Sequence, residues 1–130
     1  DEWGGSPGET FSAIEHACHL RDIEVDGYQL RIRRLRDEDH PDLASIDGYE
    51  LATQRNYRSA DLTEVLGTYR HARGETCRAI RALGPRDLER SGTFAEYGHV
   101  TLRSVIHFLR SHDQQHLACL QWLLGKMASR

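Results

Sequence analysis

Apolar residues recur at intervals of three and four in three stretches of the chain, the spacing of helices that bury one face. The last stretch, Thr101–Met127, is the longest and places Val105, Leu109, Leu120, Leu123 and Met127 on one stripe. Between Leu109 and Leu120 the positions that continue this stripe are His112 and His116. Residues four apart differ by about 40° around a helix axis, so both imidazoles point toward whatever the leucines pack against.

The first stretch opens at Thr10 or Ser12. Ser12 and Glu15 have capping-box spacing, and Phe11 is placed to act as a hydrophobic staple. The pattern predicts a helix to about Arg36, with Ile14, Cys18, Val25 and Ile32 on one line and His19, Ile23 and Leu30 on the next. Pro41 ends that pattern, and 42–57 reads as a loop with one or two helical turns laid across the bundle. Ser59 is a plausible cap for a helix over Ala60–Leu83, carried by Leu62, Val65, Leu66, Tyr69, Thr76, Ile80 and Leu83 and stopped by Gly84-Pro85. Arg86–His99 has little periodicity and reads as a long connection that can shape a site at one end of the bundle. No strand pattern competes with the helices. The expected fold class is all-α, with residues 1–10 a polar, glycine-rich lead-in and 11–130 a single domain.

A chain of 130 residues with 38% hydrophobic and 28% charged residues is long enough to bury one core. No run approaches the length of a membrane span, and the N-terminal residues carry no export signal, so a cytoplasmic protein without membrane partners is expected. The net charge of -3, with 17 basic and 20 acidic residues dispersed, argues against nucleic acid as a partner. Cys18, Cys77 and Cys119 sit inside helical patterns without a CxxC pair and read as small buried hydrophobes. There is no glycine-rich phosphate loop, no HExxH and no paired ExxH.

The chemistry therefore rests on the histidines. Neutral imidazole suits zinc, nickel or iron(II), and an i,i+4 pair can bring two nitrogens onto one ion. His112 and His116 occupy core positions, where an uncompensated polar ring is disfavoured. His19, in line with Ile23 and Leu30, is a third ligand from another helix; a rotated helix would offer His16 instead. Glu15, Asp22 and Asp113 lie close enough in sequence to orient these rings. Among the arginines near the middle helix, Arg55, Arg58, Arg70 and Arg73, the last two could receive an anionic substrate. The alternative reading makes the histidines hydrogen-bonded core residues and the arginines a solvated face.

Two runs carry a family resemblance. Phe11 through Glu24, with the pattern HLRDxE, and Thr101 through Leu117, with the pattern HDxxHL, resemble two helices of the DinB-like and YfiT-like proteins. The resemblance covers the chain from Phe11 onward. It implies an up-down helical bundle in which His19, His112 and His116 form a metal triad for a divalent ion, nickel or zinc above all, with iron the other choice. It further implies a homodimer and, in some relatives, a low-molecular-weight thiol as cosubstrate. Family members carry a long helix before the first of these histidines, so this chain is expected to have that helix absent or shortened. The function expected is that of a divalent-metal-dependent enzyme acting on a small molecule, a thiol-dependent transferase or a hydrolase. The alternatives are a non-catalytic metal-binding or helical dimerisation module, or a metal-free helical domain.

Overall fold

The computed structural model describes residues 11–130. Helix α1 spans 13–37 without a break in the chain path: α-helix over Ala13–Asp22, π-helix over Ile23–Gln29 and α-helix again over Leu30–Asp37. A short helix α2, Gly48–Gln54, packs on α1 and is followed by the long helices α3, Leu62–Arg81, and α4, Leu102–Ala128. Together they form an all-α, four-helix up-down bundle. Three short strands, β1 (Asp42–Leu43), β2 (Ser91–Phe94) and β3 (Gly98–Thr101), form a small sheet in that order. β1 runs parallel to β2, with Asp42 opposite Thr93, and β2 pairs antiparallel with β3, with Ser91 opposite Thr101 and Phe94 opposite Gly98.

The helix starts follow from local chemistry. Ser12 accepts from the Glu15 amide while the Glu15 carboxylate accepts from the Ser12 amide, the reciprocal box that the spacing predicts. Thr101 and Ser104 form the equivalent box at α4. For α3 the cap is Asp61, whose side chain accepts from the Glu64 amide, rather than Ser59, which belongs to a 3-10 turn. A carboxylate at the cap also complements the helix dipole, which a serine two residues earlier does not.

Two other expectations change. Val25 and Leu30, placed on the inner lines of the first helix, are exposed, and the buried residues after Glu24 are Gly27, Tyr28, Arg31, Ile32 and Leu35. The π segment is the reason: its wider turn rotates everything downstream relative to a continuous 3.6-residue pattern. Residues 91–101 form a hairpin where no strand was expected. Its inward positions are Gly92, Phe94 and Val100, and a glycine in an inward place hides the alternation that would reveal a strand. The hairpin turns through Ala95–Tyr97 and Gly98, whose φ of +74 favours a residue without Cβ.

The main core gathers Ile23, Ile32, Leu35, Leu43, Phe94, Val100, Leu102, Val105 and Leu109, joining α1 and α4 to the sheet. A second cluster holds Phe11, Cys18, Ala52, Tyr57 and Val65 between α1, α2 and α3. Arg90 pins the hairpin to the end of α1 by donating from Nε to the Leu35 carbonyl at 2.8 Å and from Nη2 to the Glu38 carbonyl at 2.8 Å. Those bonds satisfy carbonyls that a helix C-terminus leaves open. At the far end of α4, Leu117, Trp122, Leu124 and Met127 are exposed, so the apolar stripe is buried at Val105 and Leu109 but not at Met127. The lead-in and the helix expected to be absent or shortened lie outside the described residues.

Candidate metal centre

Three of the eight histidines meet at one point between α1 and α4. His19 Nε2 lies 3.1 Å from His112 Nε2, and His116 Nε2 lies 3.1 Å from the same atom. His19 and His116 are buried and His112 is half-buried. Ring centroids are 4.6 Å apart for His19 and His116 and 4.5 Å for His112 and His116. One ligand atom from each residue lies within 4.8 Å of the others. With metal–nitrogen bonds of about 2.1 Å, nitrogens at octahedral or tetrahedral angles lie about 3.0–3.4 Å apart, and the observed separations fall in that range.

Burial holds all three rings in the neutral, ligand-ready form. Desolvation, and then the proximity of another ring, pulls His19 and His112 down to about 4 and His116 to about 3. Neutral rings with their Nε2 lone pairs turned to one point repel one another, whereas a divalent cation satisfies all three. The residues present fit such an ion, and a His-rich site capable of coordinating a divalent metal is therefore part of this fold.

His16 joins the cluster in a different role from the ligand substitution weighed above. Its Nδ1 is 2.8 Å from Nδ1 of His116, and the ring is fully buried. When Nε2 of His116 offers its lone pair inward, its proton sits on Nδ1 and donates to Nδ1 of His16. The remaining proton of His16 is then on Nε2, which has no partner among the described residues; His19 Nδ1 is likewise unpartnered. Phe11 packs against both α1 rings, with centroids 5.6 Å from each.

The residues expected to orient the ligands turn elsewhere. Asp22 accepts from the Tyr57 hydroxyl at 2.6 Å and pairs with Arg21 and Arg55. Burial pushes its carboxyl up, but these three partners outweigh that and hold it below its ordinary value. It reaches His19 through its charge, not through a hydrogen bond. Glu15 serves the cap and meets Arg58 at 3.3 Å. Asp113 is held by Arg73, whose guanidinium also makes a two-bond contact with the buried Glu24 at 2.9 and 2.7 Å. Arg73 thus clamps α3 to α1 and α4, its guanidinium turned to carboxylates on both sides. Arg70 is exposed on the same helix.

Gly48 is a component of the site that sequence reasoning missed. A Cβ there would lie 2.7 Å from His19 Cε1 and 2.9 Å from Nδ1, so the backbone at the start of α2 rests directly on the imidazole. A glycine followed by Tyr-Glu-Leu in a poorly periodic stretch carries no sign of this approach, because the contact is made across the fold. Tyr28 is the other: its ring centroid is 5.9 Å from that of His112, and burial pushes its hydroxyl up to about 12.

A cavity of about 400 Å³ opens beside the cluster, lined by His19, His112, Tyr28, Arg31, Phe94 and Phe108 among others. Cys18 and Cys119 are buried away from it and Cys77 is half-buried on α3, all three as free thiols.

A solved structure described as "YfiT from Bacillus subtilis is a probable metal-dependent hydrolase with an unusual four-helix bundle topology" matches this chain with a TM-score of 0.83 at 18% identity. The match covers 91% of this chain and 67% of that one, and at this identity it speaks to the fold. No curated protein matches. The model of the DinB superfamily matches residues 4–120, a span that contains the histidine cluster, the cavity beside it and nearly the whole bundle. The chain belongs to the DinB superfamily.

Proposed function

We propose that this protein is a divalent-metal-dependent enzyme that hydrolyses a small molecule, with His19, His112 and His116 as the ligands of the ion. The observation that carries the reading is the convergence of three neutral Nε2 atoms at the wall of a cavity large enough for a substrate. A structural ion in a sealed shell would have no use for such a cavity, whereas a catalytic site keeps a position open. The similar fold of a protein described as a probable metal-dependent hydrolase agrees with it.

A bound divalent ion supplies Lewis acidity, which makes a water or thiol more acidic and polarises a carbonyl. The chain's own residues supply the rest. His16 fixes the tautomer of His116 through the Nδ1 contact, and Gly48 holds the plane of His19. Tyr28, which lines the cavity, keeps its proton throughout the physiological range and is suited to donate a hydrogen bond there, not to act as a base. Phe94 and Phe108 exclude water from the apolar side of the cavity. Nickel and zinc both suit imidazole ligands, and zinc is the better match to a hydrolytic role because it brings no redox chemistry.

The test is turnover of a panel of carboxylic esters and amides by zinc- and nickel-loaded protein, with and without a low-molecular-weight thiol. Turnover that rises with metal and is abolished in His112→Ala is expected. Activity that appears only with the thiol would place the protein among thiol-dependent transferases instead. Equal rates in the wild type and His112→Ala would overturn the reading. A homodimer belongs to the same proposal, supported by the exposed Leu117, Trp122, Leu124 and Met127 on α4; light scattering at low concentration that finds a monomer would remove it.

A further inference from the structure

Arg31 stands apart from the other cations near the site. It is buried, at 7% exposure, yet among the described residues it has no carboxylate partner; its one hydrogen bond runs from Nη2 to the Ala44 carbonyl at 3.2 Å. Arg21, Arg55, Arg58 and Arg73 are all matched to carboxylates. A buried guanidinium without a counter-ion is costly, and five N–H donors are far more than one carbonyl can satisfy. Its remaining contacts are with ring faces: Cζ lies 4.5 Å from the Phe94 centroid and 5.3 Å from that of Tyr28.

Those two rings decide which way the group faces. Arg31 borders two cavities, one beside the histidines and one of about 360 Å³ that also holds Asp26, Arg34 and Arg55. Phe94 and Tyr28 line the first and not the second, whereas Ala44, which accepts the one hydrogen bond of Arg31, lines the second, so the guanidinium sits between the two with its ring contacts on the histidine side. Tyr28 also connects the arginine to the cluster, being within 5.9 Å of His112 ring to ring. Among the described residues Arg31 is the only arginine or lysine lining this cavity; its other walls combine aromatic and aliphatic side chains with polar ones, the exposed Glu96 among them.

We propose that Arg31 is the specificity-determining residue of the site, receiving the carboxylate of an amphipathic substrate whose apolar body lies against Tyr28, Phe94 and Phe108 while its reacting bond reaches His19 and His112. The substrate class follows from the lining: one planar guanidinium matches one singly charged planar carboxylate, and rings suit a hydrocarbon body better than a doubly charged phosphate ester would be suited by them. The proposal rests on the metal-dependent reading for the position of the reacting bond, but the carboxylate contact belongs to the protein alone.

The experiment titrates 3-phenylpropionate and its neutral isostere 3-phenylpropionamide into zinc-loaded protein and into protein freed of zinc by a chelator, with circular dichroism to follow the fold. In both states the acid is expected to bind at least about tenfold more tightly than the amide, the size of one charge-assisted contact. Arg31→Met is expected to lose that preference while keeping one zinc per chain, and Arg31→Lys to retain part of it. Equal binding of acid and amide by the wild type overturns the proposal, and this arm stands even where Arg31→Met does not fold. A preference for the acid that appears only with zinc and persists in Arg31→Met also overturns it, since the carboxylate would then be on the ion. Wild-type protein that prefers the acid but takes up no zinc supports the arginine and contradicts the metal reading, which separates the two claims.

Discussion

Gly48→Ala perturbs the centre without touching a ligand. The new methyl would stand 2.7 Å from His19 Cε1 and 2.9 Å from Nδ1. Carbon atoms in good contact sit about 3.5–4.0 Å apart, so relief demands a displacement of roughly 1 Å. Metal sites tolerate about 0.2 Å in bond length, and loss of groups that orient a ligand typically weakens binding about 10- to 100-fold. Nothing else at the position opposes alanine: Asp47 still caps α2 through the Tyr49 and Glu50 amides, and alanine is the better helix former. Zinc affinity, read by competition with a chromophoric chelator, is therefore expected to fall about 10- to 100-fold while the helical content is unchanged. An affinity within twofold of the wild type would show that α2 yields instead of His19, and that Gly48 does not position the ring.

Three further outcomes follow. Arg73→Met strands Glu24, which is 1% exposed, and removes the bonds to Asp113, so chemical denaturation should report a loss of about 3–5 kcal/mol; a loss below about 1 kcal/mol would demote the clamp to a surface pair. His16→Leu leaves His116 Nδ1 without its acceptor and should weaken zinc about tenfold or more, whereas alanine at His107, an exposed residue of α4 outside the cluster, should not. Without a metal, burial pulls the three clustered histidines down to about 4 and 3 in the folded chain from about 6.5 in the unfolded one, so the unfolded chain binds more protons below pH 6.5. Stability should be full above about pH 6.5 and decline toward pH 4, each unit of displacement being worth about 1.4 kcal/mol per group; urea midpoints that stay level from pH 7 to 5 would contradict the burial of these rings.

The long helices and the i,i+4 pair of inward histidines were legible in the sequence because both rest on local periodicity, while His19 joined them chiefly through the family resemblance. Leu109, His112 and His116 share one face whatever the rest of the chain does, and the Ser12 and Thr101 boxes announce two helix starts. What stayed hidden depends on contacts across the fold. The π segment over Ile23–Gln29 has no residue signature, and it turned Val25 and Leu30 outward. The inner positions of β2 include a glycine, which erased the alternation of a strand. Asp22 and Asp113 are close in sequence to the clustered histidines, but arginines distant in sequence claim their oxygens: Asp22 shares its own with Arg55, and Asp113 with Arg73. His16 and Gly48 act on ligands through contacts that only the packed bundle creates.

Metal content tests the central claim most directly. Protein purified without a histidine tag and incubated with zinc or nickel, then freed of excess ion, should carry about one ion per chain by elemental analysis, the stoichiometry of one such centre, and His112→Ala should carry none while remaining folded. Wild-type protein that takes up no ion, or a His112→Ala variant that holds as much as the wild type, would contradict it.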